Sequence, residues 1–404
     1  MVKRELYMQK IRPFIGRDVI KVITGIRRCG KSVMLGLIKE ELLLTGVKAE
    51  NIIALNFENM ANTAFCNAVS LRSEILARTA GLRGRVYLFF DEIQEVAGWE
   101  KCINSLRGEL DCDIYITGSN AALLSGELAT YIAGRYVAFT VYPFSFAEYL
   151  LTPGGASAQN LSAAFREYLL LGGMPFLGNI RGSREACRQY LRDIYSSVVL
   201  KDIVMRHGIR DAAFLDRLIL YLFANVGQTF SATGIAKYFK SERRRVSAET
   251  ILNYLKACGE AFLIYKAPRY DTKGKRILTV NEKYYIADHG IRQALCGSDA
   301  SSIGQVLENI VCLELLRRGY SVTVGDAQGR EIDFIGEKDG RRLYIQVAYL
   351  LAAEETVRRE FGAFTYVKDN YPKYVVSLDE FDFSRDGVRH MNIRDFLLAD
   401  EWGA

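Results

Sequence analysis

The stretch that decides the reading of this chain is Gly25-Ile26-Arg27-Arg28-Cys29-Gly30-Lys31-Ser32. Two glycines, then a lysine and a hydroxyl residue, stand at the spacing of a phosphate-binding loop. The apolar, β-branched run at 19–23 suits a buried strand. After the loop, Val33, Leu37 and Leu44 alternate with Lys39, Glu40 and Glu41 as on a helix. In that setting the backbone N–H groups from Gly25 to Val33 turn inward on phosphates, and the helix N-terminus adds a favourable partial charge. Lys31 is expected to reach the β- and γ-phosphates of ATP, and the Ser32 hydroxyl to ligate Mg2+. Cys29 is read as a small residue tolerated at a variable position, with oxidation sensitivity as the alternative.

Working outward, 404 residues are long for one core, so two or three domains are expected. A net charge of +6 permits nucleic acid as a partner without establishing it. No apolar run approaches the roughly 20 residues that span a bilayer, which points away from a membrane partner. Eight singly scattered cysteines and three histidines argue against a zinc site or a disulfide framework. These features fit a soluble protein of a reducing cytoplasm.

A second buried strand is expected at 52–58, ending near Asn56. A third, at 86–90, runs into Asp91-Glu92. An Asp at the end of a buried strand can hold the Mg2+ shell, and a Glu beside it can align and deprotonate water. That second acid points to hydrolysis rather than small-molecule phosphorylation. A further strand, 113–120, ends in Thr117, Ser119 and Asn120, which in a parallel sheet emerge on the same edge. They are candidates for the γ-phosphate or the attacking water, the alternative being a turn with a helix N-cap. Arg135, just before a strand at 136–141, is a candidate for stabilising transition-state charge in its own site or a neighbouring subunit's, the alternative being a solvated surface residue.

Together GIRRCGKS, LFFDEIQ, ITGSN and GRYVAFTVYPFSFAEYL resemble a prokaryotic AAA-type ATPase family whose members carry a C-terminal domain. The resemblance covers essentially the whole chain and is most specific over 18–150. It implies an α/β P-loop NTPase core at 1–152, a parallel sheet with helices on both faces, and a helical lid at 153–210. It also implies that Asn56 restrains Glu92. It does not choose a second sensor among Arg192, Arg206 and Arg210. Oligomerisation is possible.

Pro153-Gly154-Gly155-Ala156-Ser157 breaks the pattern, and helical spacing resumes at 161–171, 184–206 and 211–226. Helix, turn, helix and hairpin signals between 231 and 280 then suggest a winged helix within 211–300. Residues 237–245 hold five basic side chains against one acid, and 266–276 likewise five against one. These are expected nucleic-acid contacts, with docking of a protein partner as the alternative. The last segment, 301–404, resembles a small restriction-endonuclease-like α/β domain through Glu308, Asp333 and Gln346. Ala348 stands where such sites carry a lysine that helps activate water, and Gln346 is neutral, so a metal-dependent nuclease is the lesser reading. A nucleotide-gated adaptor with negligible turnover is the other.

Overall fold

Strand β1 (Ile20–Thr24) is buried along its whole length because it lies inside a five-stranded sheet of a computed structural model. That structure describes residues 2–124, 134–152, 160–274, 276–297, 299 and 302–403. The expected break at 153–157, Lys275 and the side chain of Arg276 lie outside the described residues. The chain forms two compact units, Met1–Val141 with Glu260–Phe262, and Tyr142–Gly259 with Leu263–Ala404.

In the first unit, helix α1 (Glu5–Ile11) precedes β1, and α2 (Lys31–Leu44) follows the glycine loop. Then come β2 (Ile52–Asn56), α3 (Ala68–Thr79), β3 (Val86–Asp91), α4 (Trp99–Glu109), β4 (Cys112–Gly118) and β5 (Tyr136–Thr140). The order β2-β3-β4-β1-β5 is parallel at every pairing. Alternate residues of the strands, such as Val22, Leu55, Leu88, Phe90 and Ile116, pack against Leu71 and Ile75 of α3 and Ile103 and Leu106 of α4. On the other face Phe89 stacks on Tyr115 at 4.6 Å, with Lys39 of α2 above Phe89. Helices therefore cover both faces, which is why the strands read as continuous apolar runs. A buried ion pair, Lys21 with Asp113, ties β1 to β4 near the amino edge, and Gly16 N–H and Tyr115 O–H satisfy the second Asp113 oxygen.

In the second unit, helices α5 (Phe146–Leu150), α6 (Leu161–Leu171) and α7 (Arg184–Ser197) come first. A π-helical segment, Val198–Met205, continues α7, so the long helix expected at 184–206 changes its winding partway. The chain goes on through α8 (Ala212–Ala224), β6 (Thr229–Phe230), α9 (Ala232–Ser241), α10 (Ala248–Glu260), β7 (Ile264–Asp271), β8 (Arg276–Ile286) and α11 (His289–Cys296). It ends with α12 (Ile303–Arg318), β9 (Ser321–Ala327), β10 (Arg330–Lys338), β11 (Arg341–Val347), α13 (Glu354–Gly362), β12 (Lys373–Ser377), β13 (Arg389–Asn392) and α14 (Ile393–Leu398).

One eight-stranded sheet runs through this unit in the order β13-β12-β11-β10-β9-β7-β8-β6. The β7–β8 hairpin is long: Tyr265 pairs with Tyr285, and Ile277 with Tyr270. Its polar residues are strand residues because they find partners, Lys266 meeting Glu282 across the ladder at 2.9 Å. The pairing of β7 with β9 joins the hairpin to the C-terminal strands. Among the described residues no helix is long and apolar enough to cross a membrane.

Candidate functional site

A parallel sheet brings all its carboxyl ends to one edge. Thr24, Asn56, Asp91 and Gly118 end their strands there, and the glycine loop crosses from β1 to α2. The loop closes tightly. Gly25 has φ +143°, and a Cβ on it would lie 2.1 Å from the Val141 carbonyl oxygen, so no side chain fits. Gly30, at φ +105°, turns the chain into α2. From beneath, buried Arg4 donates from Nη1 to the Cys29 carbonyl at 3.0 Å and so braces the loop. The Cys29 thiol is fully buried, and that burial pushes it above its ordinary range, which favours the packing reading over the oxidation one.

Lys31 Nζ, only 4% exposed, donates to the carbonyls of Gly25 at 3.2 Å and Ile26 at 3.5 Å. It also lies 3.5 Å from Glu92 Oε1. Burial acts to raise the Glu92 carboxyl. The Lys31 charge, a hydrogen bond from Gln94 and the charge of Arg27 outweigh it and hold the group below its ordinary range. Glu92 itself sits at φ +53°, a left-handed conformation uncommon outside glycine. Its backbone N–H is anchored on Thr117 Oγ1 at 2.9 Å. The Thr117 hydroxyl then donates to Asp91 Oδ1 at 2.5 Å, while Asn56 Nδ2 donates to Asp91 Oδ2 at 3.0 Å.

Two expectations change here. Asn56 meets Asp91, not Glu92; the side chain on Glu92 is Gln94, whose Nε2 donates to Oε2 at 2.6 Å. Parallel pairing sets Asn56 directly beside Asp91, which decides the partner. Arg135 is displaced further. It precedes β5, whose first residue pairs with Ile20 at the start of β1, so it stands at the amino edge. The glycine loop is a strand's length away, about 16 Å at a rise of ~3.3 Å per residue. Arg135 therefore does not enter the site of its own chain; its described side-chain partner is Asn104 Oδ1 at 3.4 Å.

Ser119 and Asn120 are fully buried just beyond the end of β4, and Ser32 is exposed in the first turn of α2. The residues fit a Mg2+-bound nucleoside triphosphate. The backbone cradle leaves no room for a Cβ, an ammonium stands at its mouth, and Asp91 is oriented through both of its oxygens. Arg4 and Gln94 were not found from sequence, since nothing in the local pattern around either marks a loop brace or a carboxylate partner.

The C-terminal candidates assemble in a way the sequence reading missed. Glu308 lies inside α12 and Asp333 inside β10, so neither caps a helix nor ends a strand. Both meet Lys283 of β8. Its Nζ lies 2.9 Å from Glu308, 2.8 Å from Glu331 and 3.6 Å from Asp333. Tyr285 O–H donates to Glu308 at 2.6 Å. Gln346 accepts from the Asp333 N–H at 3.2 Å, and Asp333 accepts from the Val347 N–H at 2.9 Å. Ala348 is buried in an apolar cluster with Ile332, Ile335 and Val375. An ammonium is thus present at the carboxylates, delivered by a different strand. Burial raises the Asp333 and Glu308 carboxyls, with Lys283 opposing it, and three neighbouring carboxylates hold the buried Lys283 charged. Among the described residues no group of three His, Cys, Asp or Glu side chains is arranged to hold a metal ion.

Of the expected nucleic-acid contacts, Arg243 and Arg245 are exposed, whereas Arg244 pairs with Asp211 at 2.6 Å. Of the sensor candidates, Arg192 Nε donates to the Ala294 carbonyl at 3.1 Å, and Arg206 and Arg210 are exposed after the π-helical segment.

An AAA domain family matches residues 17–150, and a domain of unknown function (DUF8612) matches residues 162–302. An uncharacterized protein of Haemophilus influenzae is 40% identical over 400 residues, 98% of this chain and 99% of that protein. One of Methanocaldococcus jannaschii is 29% identical over 413 residues, 96% of this chain and 90% of the relative. Among solved structures, the Aeropyrum pernix Orc1 protein in complex with DNA covers 73% of this chain and 92% of its own, at 15% identity and a TM-score of 0.34. Identity of 40% along nearly the whole of both proteins places this chain in the same family as the Haemophilus influenzae protein, P-loop NTPases in which an AAA domain is followed by a DUF8612 domain.

Proposed function

We propose that this chain is a Mg2+-dependent ATPase whose nucleotide state governs binding of nucleic acid or a protein partner by its C-terminal half. The observation that carries the hydrolase reading is the buried Glu92 carboxylate, held ionised beside Asp91 and within 3.5 Å of Lys31. Mg2+, when bound, supplies charge neutralisation at the β- and γ-phosphate oxygens, and Ser32 and Asp91 are the residues that would hold it. The Gly25–Val33 backbone binds the phosphates. Lys31 exchanges its two carbonyl contacts and Glu92 for the β- and γ-phosphates. Released from that ammonium, Glu92 becomes a stronger base and takes a proton from the attacking water, with Gln94 fixing its orientation. Thr117 positions Asp91 and the Glu92 backbone; Ser119 and Asn120 serve as γ-phosphate contacts.

Phosphate release from ATP, measured with Mg2+ and again with EDTA, tests this. Turnover is expected only with the metal. No Mg2+-dependent release, with or without DNA present, would leave the nucleotide-gated adaptor, which the exposed Arg243 and Arg245 favour.

Arg135, facing away from its own site, is proposed to serve a neighbouring subunit in an oligomer. Arg135→Ala is then expected to lose about 10³-fold or more in turnover while keeping nucleotide affinity; a native rate in the associated protein would remove it from that role. In the second unit, 153–210 is proposed as a lid and 211–300 as a winged-helix module. We propose the 301–404 segment as a binding module rather than a nuclease, because Gln346 is neutral and the Glu308, Glu331 and Asp333 carboxylates are already engaged by Lys283.

A further inference from the structure

A cleft of about 860 Å³ opens in the second unit between the β7–β8 hairpin, the β10–β11 turn and the segment after α13. Five cations line it, Lys273, Lys338, Arg341, Arg342 and Lys368, against the acids Glu337, Asp339 and Asp369. Two of the acids are already engaged. Glu337 accepts from Arg342 Nε at 2.6 Å, and Asp369 accepts the Tyr344 O–H at 2.5 Å and the Tyr371 N–H at 3.2 Å. Arg342 also reaches the hydroxyls of Tyr344 at 3.3 Å and Tyr270 at 3.4 Å, so it belongs to the floor. The other four cations are exposed, and no ion pair among the described residues involves them. Beside them Tyr366 and Tyr371 are each 41% exposed on the lining.

We propose that this cleft binds single-stranded nucleic acid, with backbone phosphates on Lys273, Lys338, Arg341 and Lys368 and bases stacked on Tyr366 and Tyr371. Cations alone attract any polyanion, an acidic protein segment included. Exposed rings among those cations select for unpaired bases, whose faces a duplex hides. A braced floor lets both groups act without reordering. The site is distinct from the stretch 237–245, and of 266–276 it takes only Tyr270, Thr272 and Lys273. It specifies the partner-binding half of the proposed function and does not rest on the nucleotide site.

The test is fluorescence anisotropy of the full chain with labelled oligo-dT and with a hairpin duplex, at two salt concentrations. The native protein is expected to prefer oligo-dT. Lys338→Glu with Arg341→Glu should weaken it about tenfold or more and flatten the salt dependence. Tyr366→Ala with Tyr371→Ala should weaken it between about five- and a hundredfold per ring with the salt slope kept. Arg243→Ala with Arg245→Ala should leave it unchanged. Preference for the duplex, native affinity in the ring variant, displacement by poly-glutamate as readily as by unlabelled oligo-dT, or loss only in the Arg243 and Arg245 variant would each overturn the proposal. Binding of fluorescent ATP is followed on the same samples. Lost oligonucleotide binding in the native chain with ATP binding retained fails the cleft and leaves the ATPase reading standing.

Discussion

Glu92→Gln is expected to lower ATP turnover by about 10²- to 10⁴-fold while nucleotide affinity stays within about threefold of native. Glutamine keeps the length and a hydrogen-bonding partner for Gln94, so the left-handed turn at this position has no new reason to fail. It removes the proton acceptor, and it removes the charge that holds Lys31 at 3.5 Å in the absence of phosphates. The second loss favours nucleotide binding slightly, the first cannot be recovered. Single-turnover hydrolysis and fluorescent-nucleotide titration separate the two, and unchanged hydrolysis would take Glu92 out of the reaction. The native pH profile carries the same signature. With its carboxyl in the nucleotide-free protein held below the ordinary 4.5, Glu92 stays ionised there through the ordinary carboxylate range, so kcat/KM should not fall through its titration until the pH is lower than that. By contrast kcat, read after Lys31 has left for the phosphates, should fall at higher pH than kcat/KM does.

Lys283→Met is expected to destabilise the second unit by about 3–5 kcal/mol, far more than Lys266→Met in the same hairpin. The two lysines differ in burial, the Lys283 side chain being 3% exposed and that of Lys266 54%. Lys266 makes a surface pair of the kind worth about 0–1 kcal/mol. Removing Lys283 leaves Glu308 and Asp333 without their cation and, among the described residues, Glu331 with only Arg269, 3.7 Å away. The sign of the pH dependence follows from their direction. Burial already raises Glu308 and Asp333, and losing the ammonium raises them further above their unfolded values. A raised carboxyl penalises folding at pH above its folded-state pKa, and the penalty disappears below the unfolded one. The deficit of the variant should therefore be largest at neutral and alkaline pH and shrink on acidification. Denaturant midpoints at two pH values measure it. Equal midpoints for native and variant at neutral pH would show that the carboxylates are satisfied without Lys283.

Much of the nucleotide site is legible in the sequence because its parts are local. Strand, glycine turn and helix N-terminus are contiguous, so spacing alone puts Lys31 at the mouth of a backbone cradle. Asp91-Glu92 are legible for the same reason, as the end of an apolar strand. Partners were harder to read. Asn56 reaches Asp91 across 35 residues because β2 lies beside β3, and Arg4 reaches Cys29 across 25 because α1 returns beneath the loop. Arg135 looked close to the site from its sequence neighbours, yet parallel pairing sends the start of β5 to the far edge.

The C-terminal segment makes the same point from the opposite side. A motif read within 301–404 lacks its lysine, whereas the folded unit has one in place, because β7 pairs with β9 and β8 pairs with β7. By itself the sequence determined the chemistry of the loop, the acids that follow it and the alternation of strands and helices in the core. These depend on periodicity and on contacts a few residues apart. Tertiary structure alone decided which distant side chain meets which carboxylate: Asn56 and Thr117 with Asp91, Lys283 with Glu308. Strand order and register select those pairs, and both are set by the burial of whole sheet faces rather than by any short stretch of chain.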